Sequence, residues 1–169
     1  MQANILSLKQ PYYFNCRERM GKMSVQFREA IPSDLEGLLA LYTQLNDNTM
    51  PAIDERVLTV WQHLLRQEHI HTLVAEEDGR LLSTVSVTVI DSLTHGQRPY
   101  ALVEYVVTDR EHRGCGLAFS LLELAKQIAE EAGCYKIMLV TGHNEPGVHH
   151  LYQRAGYRSE GKTAYTQSL

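Results

Sequence analysis

The stretch TDREHRGCGLAFSLLELAKQIAEEAG, residues 108–133, decides how the rest of the chain is read. A polar, charge-rich run passes through Arg113, Gly114, Cys115 and Gly116 and turns without pause into the pattern of an amphipathic helix. Glycine interrupts helices, so two of them at a helix start serve something outside it. At a helix N-terminus several backbone N–H groups lack partners and the dipole is positive, so an anion is stabilised there, most of all where small residues let it approach. Arg113 adds a full positive charge, and with Gly114, Gly116 and Ala118 it describes a pyrophosphate cradle. The competing reading is that the two glycines only permit a tight strand-to-helix turn.

Upstream, residues 25–30 (VQFREA) form a short strand, and residues 31–45 (IPSDLEGLLALYTQL) a helix with Ser33 at the N-cap and Glu36 as its capping-box partner. Leu35, Leu38, Leu39, Tyr42 and Leu45 make one buried stripe. Asp54 caps a second helix in which Val57, Trp61, Leu64 and Leu65 share a face. Residues 71–90 hold Asp78-Gly79 between two β-rich runs, an antiparallel hairpin. The run YALVEYVV, residues 100–107, is a third long strand leading into the opening stretch, whose helix Gly133 ends. YKIMLV, residues 135–140, then lies parallel to YALVEYVV through a right-handed crossover. A last helix, residues 145–155, precedes a tail, residues 162–169, that reads as an edge strand. The order is β-α-α-β-β-β-α-β-α-β, a single mixed α/β domain over residues 24–169, with residues 1–23 as an N-terminal arm or extension.

Composition excludes several classes. A net charge of −4 with both signs interspersed offers no basic face for nucleic acid. No apolar run approaches bilayer length and no signal-peptide succession opens the chain, which points to a cytoplasmic protein without a membrane partner. Cys16, Cys115 and Cys134 lack disulfide or ligand spacing, so reduced thiols and no metal site are expected.

A Walker loop would need Lys-Ser or Lys-Thr where Leu117-Ala118 stands, and a dinucleotide fingerprint would need a third glycine where Phe119 stands. The pattern Arg-x-x-Gly-x-Ala, residues 113–118, between a strand and a long helix, resembles the acyl-CoA pyrophosphate loop of the GNAT superfamily of N-acetyltransferases. NEPGVHHLYQRAGY, residues 144–157, is similar to that family's later segment, where an Asn precedes a helix carrying Leu-Tyr and ending at Gly-aromatic, and residues 25–42 resemble its opening strand and helix.

The resemblance implies a GNAT-like sheet whose two central parallel strands splay, with the pantetheine of acetyl-CoA or CoA in the gap. Backbone groups near Val106 and Val107 would replace the missing strand partner, and the phosphates would reach Arg113, Gly114, Cys115, Gly116, Leu117 and Ala118. Asn144 either caps the last helix or bonds the pantetheine arm, or both. The implied reaction is acetyl transfer to a primary amine of a small molecule or peptide by direct attack in a ternary complex; the alternative is a non-catalytic acyl-CoA-binding sensor.

Such transfer needs a base for the ammonium and an acid for the departing thiolate. Tyr152, at the Leu-Tyr position, is carried over as the acid. Glu104 is the leading base candidate, a carboxylate in an apolar strand whose pKa burial would raise, or else a solvent-facing or ion-paired residue. A strand N–H such as that of Val106 would hold the oxyanion. His143, His149 and His150 are reserve bases; adjacent His149 and His150 face different ways and do not make a metal site. The acceptor would be shaped by residues 45–53 and 158–162, with Asp47, Asp54, Glu76 and Glu77 as charges that could draw an amine. Edge strands and the apolar-aromatic arm leave a homodimer open.

Overall fold

A computed structural model describes residues 12–14, 24–45, 49–142, 144–161 and 163–168. Strands β1 (Tyr12–Phe14), β2 (Val25–Glu29), β3 (Ile70–Glu77), β4 (Arg80–Ile90), β5 (Tyr100–Thr108) and β6 (Ile137–Leu139) form one sheet in that spatial order. All neighbours are antiparallel except β5 and β6. Helices α1 (Leu35–Tyr42), α2 (Glu55–Leu65), α3 (Leu117–Glu131) and α4 (Pro146–Arg154) complete an α/β domain.

Two apolar clusters, one on each face, show why these periodicities fold as they do. On one face Leu117, Leu121, Leu122, Ala125 and Ile128 of α3 bury against Phe27, Leu73, Val85, Val87 and Val103. On the other, Leu35, Leu38 and Leu41 of α1 and Trp61 of α2 meet Val74, Leu81 and Val107. Each fully buried Leu or Val contributes about 1.5–3 kcal/mol over its exposed state, so neither face could be left bare. Trp61 also donates its indole N–H to the Pro32 carbonyl at 3.1 Å, tying α2 to the entry of α1.

Several expected caps are present. Asp54 accepts the Val57 N–H at 2.9 Å, and Asp78 and Gly79 turn the β3–β4 hairpin with φ of 49° and 82°. Gly133, at φ 72°, closes α3 with a paired cap in which Cys134 N–H reaches Ala129 O and Gly133 N–H reaches Glu130 O. Gly156 does the same for α4, its neighbour Tyr157 donating to Tyr152 O.

Three expectations fail. The entry of α1 is capped by neither Ser33 nor Glu36: a 3₁₀ turn (Pro32–Asp34) precedes it, and Asp34 accepts the Ile31 N–H at 2.7 Å. Asp34 is buried and held in place by Arg28, which donates to it at 2.9 Å and also to Glu76, an ion network no local pattern announces. The tail is not an edge strand. Residues 163–168 carry no ladder and are exposed throughout, so nothing offsets the cost of ordering them. The observed order is therefore β-β-α-α-β-β-β-α-β-α, with Tyr12–Phe14 added to the sheet ahead of the expected first strand. Asn144 is not the cap of α4 either: Glu145 holds that position and Pro146 supplies the first helical residue.

Candidate functional site

Backbone geometry answers what the glycines are for locally. Gly114 and Gly116 have φ of 79° and 81°, a left-handed conformation that costs a residue with a Cβ roughly 1–2 kcal/mol. Gly116 is the N-cap of α3 and offers no side-chain cap, so no side chain there takes up the first N–H groups of Leu117 and its successors. The tight turn and the helix start without a side-chain cap are thus the same object. Cys115, between the glycines, is buried against the α3 cluster, and Arg113 folds back to donate to Thr108 O at 3.3 Å.

The strand that delivers the chain to this turn is splayed. β5 pairs with β6 only at Ala101↔Ile137, Leu102↔Met138 and Val103↔Leu139, yet continues to Thr108. Beyond Val103 its β6-side edge therefore has no ladder partner among the described residues. Such an edge can be extended by an amide-bearing ligand acting as an added strand. Val106 and Val107 lie on this stretch, Val106 packing toward α3 and Val107 buried beneath α1.

A bulge accompanies the splay. Ser86 pairs with Glu104 and Thr84 with Val107, so two residues of β5, Tyr105 and Val106, oppose the single Val85. Tyr105 takes up the excess with φ 52°, a strained conformation for an aromatic residue worth about 1–3 kcal/mol. The bulge resets the alternation of the strand. Val103 and Val106 both face α3, leaving Glu104 and Tyr105 together on the α1 face.

On that face Glu104 is exposed, and among the described residues it has no ion-pair or hydrogen-bond partner. Of the placements left open for Glu104 the structure shows the solvent-facing one: ordinary alternation from Val103, which faces α3, turns it toward the open α1 side ahead of the bulge. Tyr105 is half exposed and its ring meets that of Tyr42 with centroids 5.4 Å apart. Burial pushes the Tyr42 phenol up to about 12, against the opposing hydrogen bonds from Ser86 and Thr84.

Tyr152 sits on α4, on the opposite side, half-buried against the α3 cluster. Burial raises the pKa of its phenol above the ordinary value. Its ring meets Tyr157 edge-on. Asn144 is exposed just ahead of α4, and His149 and His150 are exposed on it. Among the described residues no group of His, Cys, Asp or Glu could hold a metal ion, and no helix is long and apolar enough to cross a membrane. Cys16, Asp47, His143 and Lys162 lie outside the described residues.

Sequence reasoning missed the clamp that fixes the turn. Buried Asp109 has its Oδ1 2.7 Å from His112 Nδ1, while its Oδ2 accepts from Gln44 at 3.1 Å and Arg80 at 3.3 Å. Gln44 in turn accepts the Arg110 N–H at 2.9 Å, joining the end of α1 to the loop before α3. Burial works against the charge of Asp109, but His112 and these donors hold its carboxyl below the usual range. The spacing Asp-x-x-His after a strand was the one legible sign of this clamp; Gln44 and Tyr105 gave none.

Known proteins share this architecture. A rice protein named "Probable glucosamine 6-phosphate N-acetyltransferase 2" is 31% identical over 144 residues, 82% of this chain and 84% of its own length. Human N-acetyltransferase 8B is 27% identical over 127 residues, 75% of this chain, and the match spans only 50% of that longer protein. A solved structure from Agrobacterium tumefaciens str. C58 superposes with a TM-score of 0.80 at 35% identity, covering 85% of this chain and 99% of its own. The profile described as "Acetyltransferase (GNAT) family" matches residues 38–157, from α1 through the splayed strands and the glycine turn to Tyr157, and the chain belongs to that family.

Proposed function

We propose that this protein is an acetyl-CoA-dependent N-acetyltransferase that moves an acetyl group to a primary amine by direct attack. One observation carries the reading: the unpartnered edge of β5 beyond Val103 runs straight into the left-handed Gly114–Gly116 turn at the start of α3. A strand edge for amides that leads to a helix start for phosphates suits a long ligand with both, and CoA is one. Arg113, Gly114, Cys115, Gly116, Leu117 and Ala118 would face its pyrophosphate, and the β5 edge near Val106 and Val107, with Asn144, its pantetheine arm.

When bound, acetyl-CoA supplies an acyl group on a thioester whose sulfur must leave. Tyr152 on α4, a phenol whose pKa burial raises further, would give its proton to that sulfur. Glu104 presents a carboxylate on the α1 side, where an ammonium can surrender its proton directly or through water. In this reading Tyr152 would serve as acid and Glu104 as base, with the amine attacking the thioester between them.

The test is release of free thiol from acetyl-CoA with a panel of primary amines, alongside calorimetry with CoA. Amine-dependent thiol release supports the enzyme. CoA binding with no release from any amine would make the chain an acyl-CoA sensor.

A further inference from the structure

We infer that the acceptor is a primary amine joined to an apolar, preferably aromatic, group and carrying no phosphate. The inference rests on the reading above and concerns the α1 face of the bulge in β5. Regular alternation would put Glu104 and Tyr105 on opposite faces of the sheet. The register shift, with Val103 and Val106 both packed toward α3, sets these two consecutive side chains on one face. The chain holds an aromatic residue at φ 52° to do so, at a position where glycine would be unstrained.

What stands on that face is chemically one-sided. Glu104 offers an exposed carboxylate without a partner among the described residues. Beside it, Tyr105 is 51% exposed and its ring leans on Tyr42 at an interplanar angle of 48°, so the two rings form an aromatic corner. Tyr42 is fixed by the Ser86 and Thr84 hydroxyls, and Ser86 lies directly across the ladder from Glu104. Thr88, paired with Leu102, continues the row. None of these residues is basic.

A carboxylate next to an aromatic corner attracts an ammonium and seats an apolar group attached to it. The same carboxylate repels a phosphate, and the row lacks a cation to offset that repulsion. This face therefore differs from what a sugar-phosphate acceptor needs, although relatives of this chain are named for glucosamine 6-phosphate. Exposed Met50 and Ile53, in the link that follows α1, add apolar surface to the segment between Tyr42 and α2.

The test compares 2-phenylethylamine, ethylamine and glucosamine 6-phosphate, both as acceptors for thiol release and as ligands by calorimetry. Tyr105→Gly is the variant, because glycine accepts the left-handed backbone and the fold is kept; a thermal melt checks it. The wild type is expected to bind 2-phenylethylamine and favour it over glucosamine 6-phosphate by tenfold or more in kcat/KM. Tyr105→Gly should lose about tenfold in affinity for 2-phenylethylamine and lose most of the wild type's preference for that amine over ethylamine. Preference for glucosamine 6-phosphate, or 2-phenylethylamine binding equally to wild type and variant or to neither, would overturn the inference. Ring-dependent binding of 2-phenylethylamine without thiol release would leave the amine site standing and count against the enzyme reading alone.

Discussion

The rings of Tyr152 and Tyr157 meet edge-on with centroids 6.1 Å apart, and the hydroxyl of Tyr157 is buried with no hydrogen-bond partner among the described residues. Burial raises the Tyr157 pKa, and the neighbouring Tyr152 and Glu123 push the same way. An unsatisfied buried hydroxyl costs about 1–3 kcal/mol. Tyr157→Phe keeps the ring and removes that cost, so it should leave stability unchanged or raise it by about 1 kcal/mol. Urea unfolding of the pair of proteins measures this, and a clear loss would mean that the hydroxyl has a partner in solution.

Tyr152→Phe should behave differently. A proton donor to a leaving sulfur acts mainly in the transition state, so turnover falls more than acetyl-CoA affinity. A tenfold to hundredfold loss, about 1.4–2.7 kcal/mol, is expected, because a thiolate is a tolerable leaving group. Unaltered turnover with a raised dissociation constant would reassign Tyr152 to binding.

At Gly116 the backbone and the ligand make separable demands. Gly116→Ala strains a left-handed residue and should cost about 1–2 kcal/mol of stability with little change in CoA affinity. Gly116→Glu adds a like charge where the phosphates are proposed to sit, and CoA affinity should fall by about a hundredfold or more. Calorimetry on the folded variants distinguishes them; full affinity in Gly116→Glu would remove the pyrophosphate from this turn.

Because Glu104 is exposed and unpartnered among the described residues, Glu104→Gln should leave stability within about 0.5 kcal/mol. Its effect belongs in the pH–rate profile. Without the carboxylate to take the ammonium proton, kcat/KM for the amine at neutral pH should fall and recover only as rising pH supplies free amine from solution. A destabilised variant with the wild-type profile would make Glu104 structural.

The Arg28–Asp34 pair governs the acid limit of stability. Burial opposes the charge on Asp34, but the Arg28 guanidinium and the Ile31 N–H hold its carboxyl below its ordinary value. A carboxyl depressed in the folded state stabilises above its unfolded pKa of about 4, and that contribution is lost as pH falls through the folded value. Asp34→Asn should therefore cost about 1–3 kcal/mol at pH 7 and progressively less below pH 4. A gap between the two proteins that stays constant down to pH 2 would refute this.

Local rules were enough to place what depends on neighbours in sequence. Period and turn chemistry located the helices, the Asp78-Gly79 hairpin, the Gly133 and Gly156 stops and the glycine turn before α3, since each is set within a few residues by backbone sterics and one apolar stripe. The resemblance read from residues 113–118 and 144–157 supplied the family, which the match over residues 38–157 bears out. Only tertiary structure decided the rest. That Val103 and Val106 share a face follows from pairing with β4, and the tertiary structure also decides between the buried and solvent-facing placements that the sequence leaves open for Glu104. The Asp109 clamp joins residues far apart in the chain, from Gln44 through Arg80 to His112, and Arg28 reaches Asp34 and Glu76 in the same way. The tail failed as a strand for the converse reason: β-propensity is local, but a strand persists only where a neighbour takes its hydrogen bonds and a core takes one of its faces.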